Sequence, residues 1–149
     1  MAKPWKLTSF AAVEGALQEL ERSPSPRLTG GWTVPQMLAH CAQSIDYSVQ
    51  GYPTDRSALF RRTIGPLALK RFLSKGEMSH DLQAAIPGAP PLPDGTLQEG
   101  IARLRDAMAR FQAHPGQLAH HFAYGPVTRE HYEKVHAMHV ANHLSAVEL

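Results

Sequence analysis

Apolar residues recur along this 149-residue chain at steps of three and four, the spacing typical of α-helices that bury one face. Four segments show this periodicity. No stretch of five or more residues alternates convincingly between apolar and polar, as a half-buried β-strand would. The pattern predicts an all-α fold: a single domain over residues 1–149, built as a four-helix bundle with a long crossover between its two halves.

The first two predicted helices have recognisable starts. The first follows Ser9, a candidate N-cap, and ends at the Ser23–Pro26 segment, where proline forbids continuation. The second opens with the capping box Thr33–Gln36, in which the hydroxyl and the amide each satisfy a free backbone N–H, and closes at Gly51–Pro53. His40 lies beside the apolar stripe of this second helix.

The crossover and the second half follow the same logic. Residues Ser57–Ser74 predict one or two shorter helices, interrupted at Gly65–Pro66, and residues 87–95 form a Pro/Gly-rich loop. A second capping box, Thr96–Glu99, opens the next helix. We expect the last helix to begin after the N-cap Thr128 and to run nearly to the final residue.

Composition and charge exclude several classes of protein. Fifteen Lys and Arg against thirteen Asp and Glu give a formal charge of +2, too weak for a nucleic-acid footprint. No segment approaches the roughly 20 apolar residues of a membrane-spanning helix, and the N-terminus lacks a signal-peptide core, so we expect a cytoplasmic protein. The single cysteine, Cys41, allows no intramolecular disulfide and is expected to be buried and structural.

Histidine is the residue type that suggests chemistry. The chain has nine histidines, and six of them fall within its last thirty residues. Three, His136, His139 and His143, share one face of the predicted last helix. His136 and His143 are roughly 10 Å apart along the axis, too far to bind one ion easily, whereas either the His136/His139 or the His139/His143 pair can chelate. His139 belongs to both pairs and is therefore the firmest ligand.

A third ligand must come from another helix, and His40 is the only histidine on the second one. Two histidines plus one would leave coordination positions open, as in a catalytic and not a structural site. Imidazole donors suit zinc, nickel, manganese or iron, with zinc and nickel preferred. His136 would then lie behind the ligands or replace one of them. In the alternative reading the histidines only form hydrogen bonds.

The segments Gly31–Tyr47 and Tyr124–Tyr132, the latter followed by the three histidines of the last helix, resemble the DinB-like superfamily, in a branch catalogued as a domain of unknown function. The resemblance implies a four-helix bundle that holds a divalent metal through His40, His139 and His143. The chain departs from the usual pattern of that branch at Asn142, where another histidine is usual, and at Tyr132, where a tryptophan is usual.

Characterised DinB-like proteins include transferases and isomerases in which the metal is thought to activate a low-molecular-weight thiol. By analogy, the expected function is metal-dependent thiol transfer or hydrolysis on a small molecule. The alternative is a non-catalytic bundle that binds a metal or a small ligand. Neither Asp46 nor Glu133 lies on the face of the proposed ligands, so no general base is named. A homodimer could form through the Pro-rich loop or Leu59–Phe72. The other five histidines, His80 among them, are assigned no special function.

Overall fold

The computed structural model describes residues 2–149, and this part of the chain is mostly helical. Its six helices are α1 (Phe10–Arg22), α2 (Val34–Gln50), α3 (Ala58–Arg62), α4 (Ile64–Lys75), α5 (Leu97–Ala113) and α6 (Arg129–Leu144). Two short strands, β1 (Arg27–Leu28) and β2 (Val147–Glu148), pair in antiparallel fashion. The helical class predicted from the periodicity is therefore confirmed.

Local capping explains where the four longest helices begin. The side chains of Ser9 and Thr128 accept the backbone N–H three residues on, at the starts of α1 and α6. Thr33 and Thr96 form complete capping boxes with Gln36 and Glu99. These starts were predicted from sequence and are confirmed, because a cap depends only on residues within one turn.

The crossover contains two helices, and the break between them falls at Thr63, two residues before the predicted interruption. Pro66 lies in the first turn of α4, where its missing N–H costs no helical bond. Gly65 faces the carbonyl oxygen of Ala123 so closely that a Cβ atom would lie within 1.8 Å of it. Glycine therefore allows α4 to lie directly against the loop before α6.

The last helix ends earlier than expected. The prediction that it runs nearly to Leu149 is wrong, because α6 ends at Leu144 and Val147 pairs with Leu28 in the strand pair. Val147 becomes buried there, at 1% exposure. Val147 is therefore buried by the pairing of β2 with β1 and not by a helical face.

The helices that bear the predicted ligands lie in contact with each other. Helix α2 packs against α5 and α6, and α1 packs against the same two. A second, smaller apolar cluster joins α4 to α6 through Leu69, Val135 and Met138, together with Met78 of the crossover. Within residues 2–149, none of the helices is long and apolar enough to cross a membrane.

Candidate metal centre

Four histidines meet where α2, the crossover and α6 come together. His40 lies on α2, His80 follows α4 in the crossover, and His139 and His143 lie one turn apart on α6. One ring nitrogen from each lies within 4.8 Å of those of the other three, close enough for all four to hold a metal ion. The structure therefore brings the three predicted ligands together and adds His80.

The distances between these nitrogens match a coordination shell. The Nε2 atoms lie 3.1 Å apart between His40 and His139, 3.2 Å between His139 and His143, and 3.3 Å between His143 and His80. Nitrogens that bind one ion at about 2.0–2.1 Å are about 3.3–3.4 Å apart in a tetrahedral shell and about 2.9 Å apart in an octahedral one. These three distances lie between the two values, and the other pairs lie within 4.8 Å.

Hydrogen bonding alone does not account for this arrangement. Each neutral Nε2 atom carries either one hydrogen or one lone pair, so four such atoms form at most two linear hydrogen bonds among themselves. Three short contacts are present. A cation placed among the lone pairs would satisfy all of them at once, which is why we consider the cluster a metal centre.

The electrostatic surroundings keep these rings neutral, the form that binds metal. Burial, with the neighbouring His80, lowers the pKa of His40 to about 4. Burial and the nearby imidazoles lower the pKa of His143 to about 3 and hold that of His139 well below its ordinary value. The lone pairs are therefore available at neutral pH without competition from protons.

Asn142 controls the availability of His80. Its Nδ2 atom lies 2.7 Å from Nδ1 of His80, an arrangement in which the amide donates and the ring keeps its hydrogen on Nε2. A half-turn of the amide would present Oδ1 instead, move the ring hydrogen to Nδ1 and free the Nε2 lone pair. His80 is also exposed, whereas His40 and His143 are 3% and 2% exposed. Of the four histidines, His80 is thus the one whose ring position and tautomer can change most easily.

An aromatic ring covers the centre from one side. Trp32, directly before the capping box of α2, lies with its ring centroid 4.8 Å from that of His40 and 6.1 Å from that of His143. An indole against two ligand rings restricts their rotation and keeps water from that side. Trp32 therefore orders this side of the histidine cluster.

The family of the chain was established by comparison. A family model described as "Protein of unknown function (DUF1569)" matches residues 3–149. The chain belongs to the DUF1569 family. Neither the search of curated proteins nor that of solved structures gives a match. The DUF1569 assignment therefore supplies no reaction, and the chemistry of this member must be argued from its own site.

His136 lies apart from the four-histidine cluster of this DUF1569 protein. Its Nε2 atom is 3.0 Å from Oγ of Ser48, whose hydroxyl donates to the carbonyl of Ile45, so the imidazole is the donor to Ser48. Its ring stacks on Tyr132 at 5.3 Å. Nδ1 is then a buried acceptor without a partner in the described structure. His136 is thus a core residue that is not part of the four-histidine cluster.

The remaining sequence candidates have other roles. Cys41 is fully buried, and burial raises the pKa of its thiol, which argues against a thiolate ligand or nucleophile. His120 pairs with Asp55 at 2.9 Å. His121 accepts the backbone N–H groups of Ala123 and Tyr124 through Nδ1, as a cap of that turn.

A cavity of about 340 Å³ opens beside the cluster. His40, His80 and His139 form part of its wall. The carboxylates considered from sequence are engaged elsewhere, since Asp46 pairs with Arg110 and Glu133 accepts the N–H of Phe10. Asp81, directly after His80, is the one acidic residue on the cavity wall in the described chain. Sequence reasoning missed it, along with His80.

The sequence did not place His80 in the cluster, because its segment carries no periodic signal. Residues 76–96 contain neither helix nor strand, so spacing rules do not indicate which way a side chain points. The four-histidine arrangement depends on the path of this loop back to α6, 63 residues further along the chain. The sequence clue is a histidine followed directly by an aspartate.

Proposed function

We propose that this DUF1569 protein is a metal-dependent enzyme of the DinB-like kind, in which His40, His139 and His143 hold a divalent ion and His80 contacts it from the crossover. The observation that carries the proposal is the convergence of four imidazoles next to a cavity, with three nitrogen–nitrogen contacts of 3.1–3.3 Å and all four ring nitrogens within 4.8 Å of one another. Four helices, α1, α2, α5 and α6, contact one another in the pattern expected of a four-helix bundle, with α3 and α4 in the crossover.

The donor set points to zinc or nickel, with manganese and iron as further options, because all its members are imidazoles. A divalent ion held in this way acts as a Lewis acid and lowers the pKa of a bound water or thiol. The cavity admits a small substrate to the same side of His40 and His139. We propose hydrolysis or thiol transfer on such a substrate, with a low-molecular-weight thiol as co-substrate in the second case.

The chain's own residues would prepare this chemistry. Trp32 packs over two ligand rings, and Asn142 sets the position of the hydrogen on His80. Asp81 is the carboxylate placed to accept a proton within the cavity, with its Oδ1 already receiving the N–H of Gln83. We propose Asp81 as the general base that the sequence did not reveal.

The fourth histidine favours a second candidate function. Four imidazoles can complete a tetrahedral shell, and a closed shell is typical of structural or storage sites. In that case the protein would bind metal without catalysing a reaction. The two candidates differ in whether His80 remains on the ion when a substrate or thiol is present.

Metal analysis of untagged protein tests the proposal. We expect about one divalent ion per chain in the wild type and loss of that ion in His40→Ala, His139→Ala and His143→Ala. His131→Ala is the matched control, because His131 lies on the same helix but is exposed. Equal metal content in all variants would exclude the centre. A screen of small thiols and hydrolysable esters, on wild type and Asp81→Asn, would then separate the enzyme from the storage protein.

A further inference from the structure

The wall of the cavity away from the imidazole cluster carries hydrogen-bond donors that no other part of the fold uses. Arg56 and His121 both line this cavity. Their proximity is fixed by the backbone, since the N–H of Arg56 donates to the carbonyl of Phe122 at 2.8 Å. The two residues are therefore close neighbours in this part of the cavity wall, which we call the anion-binding corner.

Arg56 is a cation without an acidic partner within residues 2–149. Its guanidinium carbon lies 4.0 Å from the ring centroid of Phe60, which orients the group without neutralising it. The nearest acidic residue in sequence, Asp55, is already paired with His120 at 2.9 Å and with Arg61 at 3.9 Å. The positive charge of Arg56 is thus available to a ligand.

His121 supplies a second donor of fixed direction. Because Nδ1 accepts two backbone N–H groups, the neutral ring must carry its hydrogen on Nε2. The residue is 7% exposed, and Nε2 has no hydrogen-bond partner in the described chain. Its ring is held by stacking on Tyr124 at 4.2 Å. His121 lines the cavity, so this N–H can donate a hydrogen bond to a ligand bound there.

Apolar side chains complete the remaining wall. Met78, Ile86 and Val135 are buried and line the same cavity. These side chains offer apolar contacts to the body of a ligand, whereas the guanidinium belongs to an exposed residue, Arg56. A volume of about 340 Å³ is at the small end of the range for ligand pockets.

From this geometry we infer that the cavity binds a small organic anion, whose carboxylate or similar acidic group pairs with Arg56 and the Nε2–H of His121 while its apolar body extends toward the histidine cluster. Any reaction of this ligand at the histidine cluster rests on the proposed function. The anion-binding corner itself depends only on Arg56, His121 and the apolar wall. Asp81 lies on the same wall and would repel an acidic group placed at the cluster end, which favours one orientation of the ligand.

Matched pairs of small molecules test the inference. A set of carboxylic acids and the corresponding primary amides, with about 8–14 non-hydrogen atoms each, would be titrated by NMR into zinc-loaded and metal-free protein. Binding in the cavity is recognised by shifts of the backbone amides of residues 84–86 and 122–124. We expect the acids to bind about tenfold more tightly than their amides.

Two variants test whether Arg56 causes the preference for acids over amides. Arg56→Met should remove it, whereas Arg62→Met, which changes an exposed arginine of the same basic segment outside the cavity, should leave it unchanged. An acid preference that survives Arg56→Met, an absence of preference, or a set in which no compound shifts these amides would each overturn the inference. Zinc uptake is measured separately. A protein that takes up no zinc but keeps the Arg56-dependent preference contradicts the proposed function alone.

Discussion

Helix α6 carries two groups of histidine contacts, and their difference is instructive. At His136 the imidazole meets a hydroxyl and aromatic rings, so one nitrogen donates a hydrogen bond and the ring packs as a core aromatic would. One and two turns further, the Nε2 atoms of His139 and His143 contact the nitrogens of other imidazoles. Residues that share one helical face thus differ in role because the neighbouring elements offer different partners.

The comparison also separates two ways of stabilising a buried histidine. Both groups are neutral, and in both the pKa is lowered chiefly by burial. The core histidine contributes through packing that is present whenever the chain is folded. The clustered histidines cannot turn all their nitrogen–nitrogen contacts into hydrogen bonds. Their contribution to the free energy of unfolding should therefore depend on a bound metal ion. The predictions below distinguish these two roles.

The largest expected effect is a stability increase caused by metal. Zinc at several hundred times its dissociation constant stabilises a folded protein by about 3–4 kcal/mol. For a chain of this size that corresponds to a rise in Tm of roughly 10 °C. Differential scanning calorimetry should show the rise in wild type and in His136→Phe but not in His143→Ala. A similar rise in His143→Ala would show that zinc stabilises the protein from another site.

Removing the core histidine should affect stability without affecting metal. His136→Ala leaves a cavity between Tyr132, Phe111 and Phe10, whose rings surround the imidazole. We expect a loss of about 2–4 kcal/mol in the free energy of unfolding, measured with urea in the presence of chelator. His131→Ala, an exposed position on the same helix, should change it by less than about 0.5 kcal/mol. Unchanged stability in His136→Ala would contradict the packing role.

The pH dependence of stability should report the same residue. Burial lowers the pKa of His136 from 6.5 to about 3. Between these values the unfolded chain binds a proton that the folded chain does not, so stability is fully present above pH 6.5 and is lost as the pH falls. Metal-free wild type should therefore lose up to about 1.4 kcal/mol per pH unit more than His136→Phe in this window.

Urea unfolding of both proteins between pH 7 and pH 4 provides the measurement. His131→Phe serves as the control. This substitution changes an exposed residue of the same helix, so it should leave the slope of unfolding free energy against pH as in the wild type. Parallel slopes for the wild type and His136→Phe would mean that the folded protein accepts a proton at His136 near its ordinary pKa.

The smallest expected effect concerns the residue that adjusts His80. Asn142→Asp can only accept a hydrogen bond, so it should hold the hydrogen of His80 on Nδ1 and strengthen metal binding several-fold. Asn142→Ala should weaken binding by about tenfold or less. Competition with a chromogenic chelator measures both affinities. Equal affinities for the two variants would indicate that His80 does not bind the ion.

Sequence patterns predicted the parts of the structure that depend on near neighbours. The capping boxes at Thr33 and Thr96 begin their helices as expected, because their hydrogen bonds span only three residues. The three ligands preferred from spacing also come together at one cluster. His139 and His143 satisfy the helical geometry of chelation, and His40 lies on the helix that packs against theirs.

What the sequence did not reveal depends on contacts between distant segments. The end of α6 is set by the pairing of Val147 with Leu28, more than a hundred residues earlier in the chain. His80 reaches the cluster through a loop that has no periodicity. The role of His136 is decided by Ser48 on another helix, which no spacing rule along α6 could indicate. In each case, a contact with a residue far away in the sequence determines the structure where local patterns do not.

The two ends of the described chain lie side by side. Ala2 forms a bridge with Glu148, and the N–H of Trp5 donates to Oγ of Ser145, two residues after His143. A polyhistidine purification tag at either end would therefore be tethered close to the helix that carries two candidate ligands, and its imidazoles would compete for the same ion. Metal content and affinity must be measured after the tag has been cleaved. Because Ala2 and Glu148 are adjacent, residues 2–149 are also suited to circular permutation, with the new ends placed in the Pro/Gly-rich loop.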